Sequence, residues 1–220
     1  MSSTRRIWER EDIQAEYDVD VYEQMQRRLW EKGWMQTETL LKSGINTGHA
    51  LELGCGPGYL GFDWLRNTED TRLTGLDINE QFLARARENA HRLGLSDRAR
   101  FVLGGGDTLP LPDAEVDGVF SNGSFHEWEK PVELLAEIHR VLKPGGVCVV
   151  TDHRRDMPWF AYWFMWFVTK PASIRRGLRK AIEASYTTEE VAKLLRDSPF
   201  GNAEASANPM GLAVVARKAE

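Results

Sequence analysis

Three carboxylates stand where a nucleotide-bearing cofactor would need them: Glu52 inside LELGCGPGYLG (51–61), Asp77 closing RLTGLD, and Asp107 after the glycines at 104–106. Gly54, Gly56, Gly58 and Gly61 surround the first of these, and glycine permits both a tight turn into a helix and close backbone approach to a ligand. A carboxylate about 20 residues beyond such a turn is placed to accept the hydroxyls of a ribose. Further on, SNGSFHEW (121–128) carries His126 and TDH (151–153) carries His153 beside Asp152. An imidazole titrates near neutrality, so either histidine is a candidate to take a proton from a reacting group. His49, His91 and His139 fall at strand-entry or helical positions and read as structural.

Such residues converge only if each follows a strand. Short apolar runs near 49–53, 72–77, 99–103, 116–121 and 146–152 alternate with helical patterns, which predicts a parallel sheet covered by helices on both faces. The helix after the second strand is the clearest, with Asn79 as its N-cap, Phe82, Leu83, Ala86, Ala90 and Leu93 at helical spacing, and Gly94 as its stop. KPGG (143–146) is expected to stop the helix carrying Leu134, Leu135, Ile138 and Leu142. A last helix over Thr188–Arg196 precedes strand-like segments at 203–207 and 211–217. Ligands of open α/β sheets collect at the carboxyl ends of the strands, where the candidate residues fall.

Gly56, Gly58 and Gly61 also satisfy the G-x-G-x-x-G spacing of dinucleotide sites, so this motif leaves open a nicotinamide dinucleotide or S-adenosylmethionine. Two features favour the second. A pyrophosphate wants donors and no nearby anion, yet Glu52 precedes Gly54 by two residues and no Lys or Arg occurs between 50 and 65. The ammonium and sulfonium of S-adenosylmethionine are stabilised by carboxylates.

Taken in order, LELGCGPG (51–58), GLDIN (75–79), GDTLPLPD (106–113), VDGVFSNGSFHEW (116–128) and LKPGG (142–146) resemble the class I S-adenosylmethionine-dependent methyltransferases. The likeness is to the small-molecule branch with the ubiquinone/menaquinone-type enzymes and covers about residues 48–152. It implies a Rossmann-like three-layer sandwich with a mostly parallel seven-stranded sheet whose last strand, GLAVVARK, is antiparallel. It further implies that Gly54, Cys55, Gly56 and Gly58 lie along the methionine part of the cofactor with Glu52 behind them. Asp77 would hold the ribose hydroxyls and Ile78 pack on adenine. Asp107 would accept from the adenine amino group beside Thr108 and Leu109, and Asn122 and Gly123 border the methyl group. The expected products are a methylated acceptor and S-adenosylhomocysteine. Transfer is an in-line displacement for which the protein chiefly positions the nucleophile and excludes water; His126 and then His153 are the candidate bases. A nicotinamide-dependent oxidoreductase and a non-catalytic cofactor-binding protein are the alternatives.

Family members that methylate DNA carry an Asp/Asn-Pro-Pro-aromatic element or a Pro-Cys nucleophile after strand four, where this chain has Ser121-Asn122-Gly123-Ser124. With a net charge of −5 this argues against nucleic acid and for a small, partly apolar or aromatic acceptor. The charge is uneven: residues 154–180 are +6 and the remainder −11. Two cysteines are too few for a disulfide scaffold, and no Cys/His cluster suggests a metal. The polar start and the lack of a stretch long enough to span a bilayer give a cytoplasmic location as the default. One methyltransferase domain over 1–220 is the economical reading, divided into an N-terminal helical cap (1–47), a cofactor-binding core (48–152), an aromatic-rich helical insertion or lid (153–187), and a C-terminal helix and strands (188–220). Trp8, Tyr17, Tyr22, Trp30 and Trp34 of the cap are placed to close the pocket. The insertion contains MPWFAYWFMWFVT (157–169), a helix apolar all round, which cannot stand alone in water. A core or homodimer helix, a lid over the acceptor, and a membrane-surface contact through residues 157–180 all remain open.

Overall fold

The computed structural model describes residues 6–7, 18–105, 108–201 and 203–220. Two helices, α1 (Val19–Glu31) and α2 (Thr37–Ser43), lead into an alternation of strands and helices: β1 (His49–Leu53), α3 (Tyr59–Arg66), β2 (Arg72–Asp77), α4 (Glu80–Leu93) and β3 (Ala99–Leu103). Then come β4 (Val116–Asn122), α5 (Pro131–Val141), β5 (Leu142–His153), α6 (Trp159–Val168), α7 (Arg175–Ala184), α8 (Thr188–Arg196), β6 (Glu204–Ala207) and β7 (Gly211–Arg217).

The seven strands form one sheet in the order β3-β2-β1-β4-β5-β7-β6. β1 pairs in parallel with β2 and β4, and β7 runs antiparallel to both β5 and β6, as the resemblance implied. The strand order reverses between β1 and β4, which opens a crevice at their carboxyl ends.

β1 is buried along its whole length because both sheet faces are covered. Alternate residues therefore enter different cores. Leu51 and Val119 join Leu134, Ile138, Val191 and Leu195 of α5 and α8 on one face. Ala50 and Phe120 join Leu40, Phe62, Trp64 and Ala90 of α2, α3 and α4 on the other. The three layers follow from this split.

Local signals act as expected in α4: the Asn79 side chain accepts the Gln81 N–H, and Gly94 closes the helix in the left-handed conformation. The LKPGG segment is a partial correction. α5 ends at Val141, and Leu142 already pairs with Val116 of β4, so Leu142 and KPGG belong to β5, with a register shift before Gly118. α6 departs further from expectation. Its one buried residue is Ala161, while Trp159, Phe160, Trp163, Phe164, Phe167 and Val168 are exposed, which overturns the reading of a core helix.

Candidate active site

The turn after β1 is tied to β2 through the backbone: the N–H groups of Gly54 and Cys55 donate to the Leu76 carbonyl at 2.8 and 3.1 Å. Gly54, Gly56 and Gly58 have φ of +67°, +51° and +88°, a region L-residues avoid. At Gly54 a side chain would also meet Ser124 Cβ at 2.7 Å, so β4's loop packs directly on this turn. Gly61 has a different role. It lies in α3 against β1, and a Cβ there would collide with Glu52 Oε2 and Leu73, so the third glycine of the apparent dinucleotide pattern serves packing.

Asp77, at the end of β2, is almost buried and bonds the same turn. Its Oδ2 accepts from Gly56 N–H at 2.8 Å and its Oδ1 from Asn79 N–H at 2.9 Å. Burial raises its pKa, against the pull of these hydrogen bonds. Glu52 is 3% exposed, and its Oε2 has no hydrogen-bond partner. Burial, reinforced by the Asp77 carboxylate, pushes it well above the ordinary glutamate range. Glu52 and Asp77 thus share one region with no cation to offset them in the turn, as the residues from 50 to 65 foretold.

The other implied cofactor residues divide. Ile78 is 50% exposed beyond β2, an apolar face free for a flat ring. Cys55 contributes backbone alone toward the turn's open side, because its thiol is buried against Gly75. Thr108 is exposed, whereas Leu109 points into the core, with its N–H on Glu137 (2.9 Å) and its carbonyl on Arg140 (3.1 Å). Asp107 lies outside the described residues. Asn122 Oδ1 accepts from Thr151 Oγ1 at 2.8 Å, and Gly123, at φ +71°, has open space where a side chain would project.

His126 sits in the short helical turn Phe125–Glu127 after β4 and is 5% exposed. Asp152 of β5 fixes it twice, accepting from the His126 backbone N–H (2.8 Å) and lying 2.9 and 3.1 Å from Nδ1. Burial alone would lower the His126 pKa; the charge and hydrogen bond of Asp152 outweigh it and leave it raised. The same pairing overcomes burial to lower Asp152. With Nδ1 committed, Nε2 is the nitrogen left for chemistry, and Glu127 Oε1 lies 3.7 Å from it. Burial, helped by Asp152 and Asp77, pushes the Glu127 pKa up to about 7 despite His126. His153 is half-buried, donates its backbone N–H to Asp152 Oδ1 (2.7 Å), and is lowered by burial. Glu127 and Asp152 were not singled out as site residues beforehand; the signal was their place at the ends of β4 and β5.

The N-terminal helix covers part of this end. Tyr22 reaches the face of Gly56, packs on Phe82 with ring centres 5.2 Å apart, and has its pKa raised to about 12, chiefly by burial. Trp30 packs instead on Tyr59 and bonds Asp63, and Trp34 is exposed beside Lys32. Trp8 and Tyr17 lie outside the described residues.

Of the remaining histidines, His49 bonds Thr74 Oγ1 (2.8 Å) at the opposite end of the sheet, His139 packs on Phe200, and His91 is exposed on α4. A cavity of about 300 Å³ at that opposite end is lined by His49, Arg72, Arg98, Arg100 and Glu115 and contains none of the candidate residues. Among the described residues no group of three His, Cys, Asp or Glu could hold a metal ion.

Residues 51–150 match the family described as "Methyltransferase domain". An uncharacterised methyltransferase, YdaC, of Bacillus subtilis is 33% identical over 54% of this chain and 64% of its own length. The demethylmenaquinone methyltransferase of Symbiobacterium thermophilum is 28% identical over 86% of this chain and 81% of its own. The crystal structure of a SAM-dependent methyltransferase from Aquifex aeolicus superposes with a TM-score of 0.65 at 21% identity, covering 96% of this chain and 99% of the other; at that identity it speaks for the fold. The matched region spans under two thirds of the YdaC relative's length. Over residues 51–150 the chain is similar to the methyltransferase domain family, and the relatives named above carry that similarity to S-adenosylmethionine-dependent methyltransferases further along the chain. S-adenosylmethionine is the cofactor of that family, and the residues present fit it: a glycine cradle closed to side chains, unpaired buried carboxylate oxygen behind it, and Asp77 and Ile78 at the next strand end.

Proposed function

We propose that this protein transfers a methyl group from S-adenosylmethionine to a small, partly apolar or aromatic acceptor by in-line displacement. The observation that carries the reading is the meeting of the left-handed glycine turn with buried Glu52 and Asp77, because such a cradle favours a cationic ligand over a pyrophosphate. What disfavours the oxidoreductase is the buried Glu52 carboxylate behind the turn with no Lys or Arg from 50 to 65, since the packing role of Gly61 suits either cofactor.

In this reading the backbone of Gly54, Cys55, Gly56 and Gly58 lines the methionine end, with Glu52 as counter-charge. Asp77 takes the ribose, Ile78 covers the adenine with Asp107 and Thr108 at its edge, and Asn122 and Gly123 border the transferred group. Bound S-adenosylmethionine supplies an electrophilic methyl carbon on its sulfonium. His126 Nε2 takes the acceptor's proton, while Asp152 holds Nδ1 and stabilises the imidazolium. Glu127, whose pKa lies about 7, stands beside Nε2 as the next place for that proton. His153 is the weaker candidate because burial lowers its pKa. The match to a demethylmenaquinone methyltransferase supports an acceptor with an apolar ring.

Calorimetry with S-adenosylmethionine and NAD tests the cofactor, and methyl release from labelled cofactor across phenols, quinols, amines and thiols tests the transfer. Binding of NAD alone would overturn the assignment. Binding of S-adenosylmethionine with no transfer to any acceptor class would favour a non-catalytic cofactor-binding protein.

A further inference from the structure

We propose that α6 and the exposed side of α7 dock on an anionic lipid bilayer at headgroup depth. Trp159, Phe160, Trp163, Phe164 and Phe167 of α6 are 48–72% exposed, and Ala161 alone is buried. Contiguous apolar surface of this kind marks an interaction site, and tryptophan favours the boundary between water and lipid.

Charge identifies the occupant. From 157 to 182 there is no Asp or Glu, while Lys170, Arg175, Arg176, Arg179 and Lys180 follow the aromatic run. α7 turns Leu178, Ala181 and Ile182 inward and leaves Arg176 and Arg179 exposed; Arg179 also pairs with Glu183 at 2.9 Å. The Arg175 guanidinium lies 5.6 Å from the Trp166 ring centre, which joins the cationic helix to the aromatic one. A two-fold dimer through this face would press one cationic patch against its copy, whereas an anionic leaflet neutralises it. Nor does the helix cross a bilayer: ten residues rise about 15 Å, half the hydrocarbon thickness, so it lies along the surface.

The proposal is independent of methyl transfer and is tested without cofactor. Full-length protein is sedimented with vesicles of phosphatidylcholine alone and of phosphatidylcholine with about one-third phosphatidylglycerol, at low and high salt. Binding to the anionic vesicles, weakened at least tenfold by salt, is expected. The double variant Arg176→Gln/Arg179→Gln should bind about 25-fold more weakly, about fivefold per charge. The triple variant Trp159→Ser/Phe160→Ser/Phe167→Ser should lose binding while keeping the wild-type melting temperature, since these rings are exposed. Failure of the wild type to bind anionic vesicles at low salt overturns the proposal, as does undiminished binding by the triple variant. A wild-type dimer that the triple variant dissociates, without vesicle binding, assigns the face to a second copy and overturns it equally.

Discussion

Replacing Asp77 separates what its charge does for folding from what it does for a ligand. Its carboxylate accepts from Gly56 N–H at 2.8 Å and Asn79 N–H at 2.9 Å, yet burial still raises its pKa, so the ionised form is disfavoured in the folded protein. Alanine strands the buried Gly56 N–H, which costs about 1–3 kcal/mol, while the partly exposed Asn79 N–H turns to water. Asn keeps one acceptor oxygen and removes the buried charge, so Asp77→Asn should be more stable than Asp77→Ala by about 1 kcal/mol or more, a difference resolvable by urea unfolding. For cofactor affinity the two should converge, about 10- to 100-fold weaker than wild type by calorimetry, because neither accepts both ribose hydroxyls. Wild-type affinity in Asp77→Asn would refute the placement of this carboxylate at the ribose. Equal instability of the two variants would refute the view that its burial opposes its hydrogen bonds.

Asp152→Asn should lower the His126 pKa, followed by imidazole resonances, and shift the rising limb of a pH–rate profile downward while reducing the plateau. An unshifted limb would remove His126 as the base. The pair also predicts a stability window: the His126 contribution is complete below the unfolded histidine pKa and is lost as pH rises through the raised folded value, and the Asp152 contribution is present above the unfolded aspartate pKa and lost as pH falls through the depressed one. Glu127 acts in the same sense as His126 and against Asp152. Its folded pKa of about 7 exceeds its unfolded value, so stability falls as pH rises from about 4.3 through 7, and Glu127→Gln should flatten that slope in denaturation series. Binding a cationic ligand beside carboxylates with raised pKa favours their ionised forms, so calorimetry near neutral pH in buffers of different ionisation enthalpy should show net proton release. Binding with no proton exchange would place the ligand's cationic groups away from them.

Local signals determined much about this protein. Strand-like runs marked all seven strands, from the fully buried β1 to the mostly exposed β6, and Asn79 and Gly94 marked the ends of α4, because a strand's side-chain pattern and a capped helix each write their requirement into adjacent residues. The ordered motifs from LELGCGPG to LKPGG were enough to name the family. Tertiary structure decided what depends on neighbours far along the chain. Gly61 belongs to Glu52 and Leu73, the Cys55 thiol and the Leu109 side chain turn inward, and Asp152 of β5 clamps His126 of the β4 turn. The aromatic run at 157–169 was legible as a helix that water would not tolerate bare, yet its periodicity is the same for a core, a contact or a membrane face. Exposure is set by which elements pack against a helix, and that information lies outside the helix's own residues.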